Sequence, residues 1–411
     1  MRAMSARLPL AACAAFLLSR LGLSDAFSFP GLSSHTPCRS PIQLSAASSS
    51  EETATSTTID NEQIEPSGAR GQTELFHDFA NFLQSTQNSI ISQLESVERA
   101  SGETFTEDRW GGLSDLTCED RLTSTTASGG ITRVIQRGDV IEKGACSLTL
   151  IQNGKLTAER AAAISGRNDH ANVKEGDQFS AAALSIVLHT RSPNVPTFRS
   201  DVRIFLVRSS EAEGDDDDDG DETLAWFGGG ADLTPYYLFD DDIREFHGRQ
   251  KELCDAYFPP DDGELADAAF GYAAMKKNCD DYFFLPARQE HRGVGGTFYD
   301  DMPATEHTLA FTKAMAQSWL PSWLPIVERR KDRAYTDRQR EWQLLRRGRY
   351  LEFNLLYDRG VRFGLASANP RVEGVMVSAP PLITWEYNHV IEEGSEEERL
   401  MTILKEPIDW T

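Results

Sequence analysis

WFGGGADLTPYYL, residues 226–238, places three glycines between an aromatic pair and Asp232. Bare backbone at Gly228, Gly229 and Gly230 after an apolar strand lets a flat ligand, or another backbone, come to a contact distance that any Cβ would prevent. A carboxylate at the rim of such a gap accepts hydrogen bonds from ligand N–H groups and can act as a base toward them. The same residues also fit a tight turn in which Asp232 caps the segment starting at Leu233. The spacing is not GxGxxG, which excludes a dinucleotide loop.

Two other stretches carry chemistry. ARQEHRGVGGTFYDD, residues 287–301, is a second glycine cluster and follows the acidic aromatic stretch CDDYFF. ERRKDRAYTDRQREWQLLRRGRY, residues 328–350, concentrates eight Arg and one Lys in a chain of net charge −23. Such a stretch is either a solvated helix face with i,i+4 ion pairs or a basic wall for an anionic ligand. Histidines are scattered without HExxH or an i,i+4 pair, and the six cysteines form no CxxC, so no dedicated metal site is expected.

These residues need elements to hold them. Apolar residues recur at helical spacing over residues 73–99 (Leu75, Phe79, Phe82, Leu83, Ile90, Leu94, Val97), which predicts an amphipathic helix. GGITRVIQRG, DVIEKG, CSLTLI, AALSIVLHT, DVRIFLVR and TLAWFGG alternate and are broken by turn residues, which predicts antiparallel strands. FDDDIREFHGRQKELCDAYF, ELADAAFGYAAMKKNCDDYFF and EHTLAFTKAMAQSW read as helices, and YLEFNLLYD and VEGVMVSAP as further strands. With no βαβ repeat and no linker after residue 72, the expected class is α+β, a single domain of residues 73–411 around one antiparallel sheet.

The first 26 residues have a basic start, the apolar run LPLAACAAFLL and a small-x-small site at Ser24 and Ala26, the pattern of a signal peptide. Residues 27–72 begin Ser-rich with Arg39 and no acid before residue 51, as in a transit peptide, and run on into a linker. The stacked leader resembles that of algae whose plastid lies inside extra membranes, so a plastid stroma is the expected location; the other reading is a secretory signal followed by a disordered linker. Residues 1–50 hold four Arg and one Asp, so without them the charge moves from −23 to −26. A field this negative argues against nucleic acid and anionic membrane surfaces as partners. The aspartate run 215–219 reads as a solvated loop.

Together WFGGGADLTPYYL, CDDYFFLPARQEHRGVGGTFYDD, QLLRRGRYLEFNLLYDRGVRFGL, SIVLHTRSPNVPTFRSDVRIF and the terminal WEY and PIDW closely resemble the oxygen-dependent coproporphyrinogen III oxidases, in order along residues 73–411. The resemblance implies a flat antiparallel sheet with helices on both faces, a homodimer with a dimerisation hairpin near residues 350–378, and oxidative decarboxylation of coproporphyrinogen III by O2 without metal or organic cofactor. It implies Asp232 as acceptor of pyrrole N–H groups and base, Arg203 as a catalytic residue, and Arg203 and Arg371 as propionate contacts. Ser185, Asp201, Asp358, Arg359 and Gly228 to Gly230 are implied as substrate contacts. The chain also departs from the pattern. Arg199 stands where the family has a proton-donating His, Asp201 where Asn is usual, Ala287 where another His is usual, and Asn278 where a Trp is usual; His189 and His247 remain. A guanidinium does not surrender a proton near neutral pH, but it can hold a propionate or pair with Asp201. Arg199 therefore also points to a second class of reading, a chain that binds tetrapyrroles without turnover.

Overall fold

The computed structural model describes residues 70–98, 101–114, 128–166, 173–209, 223–260, 270–365 and 371–411. The leader, the aspartate run 215–219 and most of the loop 113–128 lie outside the described residues. In chain order come α1 (Gln72–Val97), β1 (Thr106–Gly111), β2 (Gly129–Gln136), β3 (Ile141–Lys155), α2 (Ala158–Ser165), β4 (Gln178–Thr190), β5 (Thr197–Arg208) and β6 (Thr223–Thr234). Next are α3 (Asp240–Tyr257), α4 (Tyr272–Phe283), β7 (Phe284–Leu285), β8 (Glu290–His291) and β9 (Gly295–Pro303). The chain closes with α5 (Glu306–Arg330), α6 (Asp337–Leu356), α7 (Arg359–Leu365), α8 (Val372–Met376) and α9 (Glu396–Lys405).

Seven strands form one antiparallel sheet in the order β1-β2-β3-β4-β5-β6-β9, with β7 and β8 as a separate small pair. Successive side chains of a strand point to opposite faces, so the alternating sequence gives the sheet two different surfaces. One carries Cys146, Leu148, Leu184, Ile186, Phe198, Val202 and Ile204, buried against α1 and α5 in the main core. Phe79 of α1 meets Phe227 edge-on at 5.2 Å, and Trp323 of α5 stacks on Phe198 at 6.1 Å. The predicted apolar stripe of the first helix is the face that docks here, and Gln87 within it donates to the Ile131 and Cys146 carbonyls.

The opposite surface is covered only in part. Tyr350 of α6 packs on Ala145 and Val187, and Phe283 of α4 packs with Phe298 of β9 and Phe353 of α6. The fold class is thus the expected α+β with helices on both faces of an antiparallel sheet.

Two strand expectations fail. YLEFNLLYD belongs largely to α6 and VEGVMVSAP supplies α8, so no hairpin lies near residues 350–378 among the described residues. A capping box between Thr336 and Gln339 starts α6, which is buried along the whole run from Leu345 to Tyr350 and again at Phe353 and Asn354. The apolar alternation at Leu351, Phe353 and Leu355 is incidental: Phe353 is buried and Leu355 is exposed.

Candidate active site

Register assembles the site. Across the partly covered surface run rows of paired residues: Ser147, Ser185, Asp201, Gly230 and Phe298 form one, and Thr149, Ala183, Arg203 and Gly228 form the next. Val187, Arg199, Asp232 and Gly296 form the row on the other side. Residues 199, 201 and 203 of β5 therefore face the same way because they alternate along one strand. Over them opens a cleft with a volume of about 290 Å³. Its sheet side is lined by Ser147, Thr149, Ala181, Ala183 and Ser185, and its rim by Tyr282 of α4, Phe298 and Asp300 of β9, and Asp358 and Arg359 at the start of α7.

The charges in the cleft are linked. Asp201 lies between two arginines: Arg199 Nη1 is 2.7 Å from its Oδ1, and Arg203 donates to its Oδ2. Arg203 also reaches Asp300 at 3.1 Å. Burial alone would raise the Asp201 pKa, but Arg199 and Arg203 outweigh it and hold the carboxyl below its ordinary value, ionised. Burial opposes charge on Arg199 too, yet Asp201 and Asp232 hold its pKa above the usual value. Tyr282 stacks on Phe298 at 4.8 Å with rings nearly parallel, and the Arg359 guanidinium lies 4.9 Å from the Tyr282 ring centre. Burial pushes the Tyr282 hydroxyl up to about 12, so it stays protonated and able to donate.

Asp232 lies one row away from Asp201 but does not line the cleft. It is sealed in an ion pair with Arg292 at 2.7 Å, their side chains 3% and 1% exposed. Arg292 is itself enclosed by Phe283 at 3.9 Å, Tyr350 at 4.3 Å and Phe353 at 5.0 Å. The turn-capping reading of Asp232 also fails, because Gly228 to Asp232 sit inside β6. Nor is the glycine backbone a floor for a ligand, since the chain's own atoms occupy the space. A Cβ on Gly228 would lie 2.7 Å from the Arg203 guanidinium, and one on Gly229 2.6 Å from the Asp201 carbonyl. On Gly230 it would lie 2.1 Å from the Thr297 carbonyl of β9. Two substitutions should consequently diverge. Gly230→Ala forces two backbones apart and should cost at least about 2 kcal/mol in urea unfolding, whereas Gly228→Ala displaces only the end of the Arg203 side chain and its ion pairs, and should cost less.

Arg371 does not join the cleft either. It pairs with Asp108 and lies 5.1 Å from the Trp110 ring centre, on the edge strand β1, four places from β5 in the sheet. Asp358 faces the cleft while its Oδ1 accepts from the Val361 amide, capping α7. The basic stretch is not a wall of the cleft. Arg340 and Arg347 bind Glu142, Arg346 binds Glu290, and Arg329 and Arg330 bind Asp242, so its charges are used within the fold. His189 engages both ring nitrogens, with Thr197 and the Ser378 carbonyl, and burial lowers its pKa well below the usual value. His247 bonds to the Tyr272 hydroxyl, and burial lowers it to about 3. Both imidazoles are neutral structural groups, and no group of three or more His, Cys, Asp or Glu fit to hold a metal occurs among the described residues.

Sequence reasoning missed the small-residue part of the cleft lining, although a signal was present: Ser147 and Thr149 on β3 and Ala181, Ala183 and Ser185 on β4 are small residues at alternate positions of paired strands. It also missed Tyr282, Phe298 and Asp300 as rim residues and Arg292 as the partner of Asp232, which lies 60 positions away in the chain.

Comparison with known proteins agrees along almost the whole described chain. Residues 78–410 match the family model described as coproporphyrinogen III oxidase. A mouse protein named oxygen-dependent coproporphyrinogen-III oxidase, mitochondrial, is 41% identical over 302 residues, 73% of this chain and 63% of the mouse protein. A Drosophila melanogaster oxygen-dependent coproporphyrinogen-III oxidase is 38% identical over 338 residues, 81% of this chain and 78% of the fly protein. An Arabidopsis thaliana coproporphyrinogen-III oxidase 1, chloroplastic, is 37% identical over 354 residues, 85% of this chain and 83% of the plant protein.

Proposed function

The chain belongs to the coproporphyrinogen III oxidase family, and on that premise we propose that it converts two propionates of coproporphyrinogen III into the vinyl groups of protoporphyrinogen IX. Each propionate loses CO2 together with a hydride equivalent. The two electrons and one proton pass to O2, and a second proton from solution completes hydrogen peroxide.

One observation carries the reading: an open cleft on the sheet, lined in part by the small residues Ser147, Thr149, Ala181, Ala183 and Ser185, that Arg199, Arg203 and Arg359 all reach. A broad, flexible tetrapyrrole can lie against Ser147, Ala183 and Ser185 where larger residues would hold it off. Guanidinium groups suit its carboxylates because their planar donors bind both oxygens at once. The stacked Tyr282 and Phe298 offer a flat apolar margin, and Asp300 and Asp358 are acceptors for pyrrole N–H groups. Asp232 takes a positioning role in this scheme, holding Arg292 and adding negative field behind Arg199.

The reading extends to O2 as co-substrate without a metal or organic cofactor, to residues 73–411 as the catalytic domain, and to a homodimer. Exposed Trp385, Tyr387 and Val390 support a self-association surface. Plastid delivery by residues 1–72 is supported by the chloroplastic name of the Arabidopsis relative. Incubation of the purified protein with coproporphyrinogen III under air, followed by chromatography of the oxidised porphyrins, should yield the divinyl product with one peroxide per CO2. A folded protein that forms no vinyl product would refute the proposal.

A further inference from the structure

The six charged side chains lining the cleft are three arginines and three aspartates, Arg199, Arg203 and Arg359 against Asp201, Asp300 and Asp358. An anionic substrate thus meets a site of no net charge in a protein of net charge −23. On β5, Asp201 alternates with Arg199 and Arg203 and contacts both. A carboxylate in that position occupies the guanidinium edges that an incoming carboxylate needs, and the two compete directly. Asp201 itself is only 7% exposed, so it cannot turn into solvent to make way at little cost.

We propose that Asp201 is a built-in competitor for the substrate's carboxylates: a propionate binds at Arg199 or Arg203 by exchanging with Asp201, so that this residue sets affinity. The proposal rests on the tetrapropionate substrate reading given above. Two consequences follow from exchange. A ligand with one carboxylate gains little, because it trades one ion pair for another, whereas a ligand with several carboxylates gains from those that reach cations other than the exchanged one. Loosened affinity also favours release of a product that has lost two of its four carboxylates.

The test uses the full chain and oxidised coproporphyrin III, a stable tetracarboxylate, in fluorescence titrations at two salt concentrations. Asp201→Asn keeps the shape but removes the competing charge, and should tighten binding about tenfold, with a larger gain at low salt. In turnover, KM should fall while kcat falls or holds. Should Asp201→Asn fail to fold, a second comparison decides: Arg199→Gln alone should weaken binding, and Arg199→Gln with Asp201→Asn, which restores charge balance without the competitor, should bind more tightly than Arg199→Gln alone. Unchanged or weaker binding by folded Asp201→Asn, or a double variant no better than Arg199→Gln, overturns the proposal. Its failure differs from failure of the oxidase reading. Wild-type turnover with no tightening removes only the competitor, tightening without wild-type turnover removes only the oxidase, and absence of porphyrin binding in every variant removes both.

Discussion

Arg292→Leu should destabilise the protein by roughly 3–5 kcal/mol, the usual cost of breaking a buried ion pair from one side. The pair it forms with Asp232 is almost wholly excluded from water, so the remaining carboxylate would be left charged without a partner. Phe283, Tyr350 and Phe353 would also lose the cation they enclose. The measurement is urea unfolding followed by intrinsic fluorescence. Asp232→Leu with Arg292→Leu should recover much of the loss, because two apolar groups replace two charges; a double variant as unstable as the sum of the singles would mean that packing, and not charge, dominates. Catalytic activity should not recover with stability, since the negative field behind Arg199 is then gone.

The second large effect is kinetic. Arg203→Gln should lower kcat/KM about 100-fold, a loss of about 2.7 kcal/mol in transition-state stabilisation. Arg203 is the link in the cleft's chain of charges: it touches Asp201 and Asp300 and spreads over the bare backbone of Gly228. Without it the cleft carries excess negative charge against an anionic ligand, and a planar two-pronged contact becomes a single neutral one. Stability should suffer much less than in Arg292→Leu, because Arg199 still faces Asp201 and the side chain borders an open cleft. A kcat/KM within about threefold of wild type would remove Arg203 from the substrate's path.

The contrast between these two arginines shows what sequence reading can and cannot reach. Alternation in DVRIFLVR predicted a strand, and the family resemblance singled out Arg203, Arg199 and Asp201 on it; the register then shows that the three share one face of β5. Asp232 was read at the rim of a gap beyond the strand or as a turn cap, whereas it lies inside β6 and its surroundings depend on Arg292, which follows β8 in a distant part of the chain. Periodicity within one segment contains nothing about such a partner. The glycine run was likewise visible while its cause was not: Gly230 is bare because β9 pairs beside it, and the β9 residues were read only as a second glycine cluster. In the stretch 328–350 charge density was obvious, but whether arginines face a ligand or the fold is decided by Glu142, Glu290 and Asp242, none of them nearby in sequence. Short apolar runs such as YLEFNLLYD are ambiguous between period two and period three to four, and there the capped start of α6 prevailed.

Glu142 has a temporal consequence as well. Its two guanidinium partners lie 198 and 205 positions later in the chain, a stretch that takes roughly 10–40 s to synthesise at about 5–20 residues per second. Throughout that interval a nascent β3 carries an anion destined for the interior with nothing yet made to neutralise it. The ribosome-bound chain should therefore remain a client of chaperones until α6 has emerged, and a truncation ending before residue 340 should accumulate as protease-sensitive material instead of a smaller stable body.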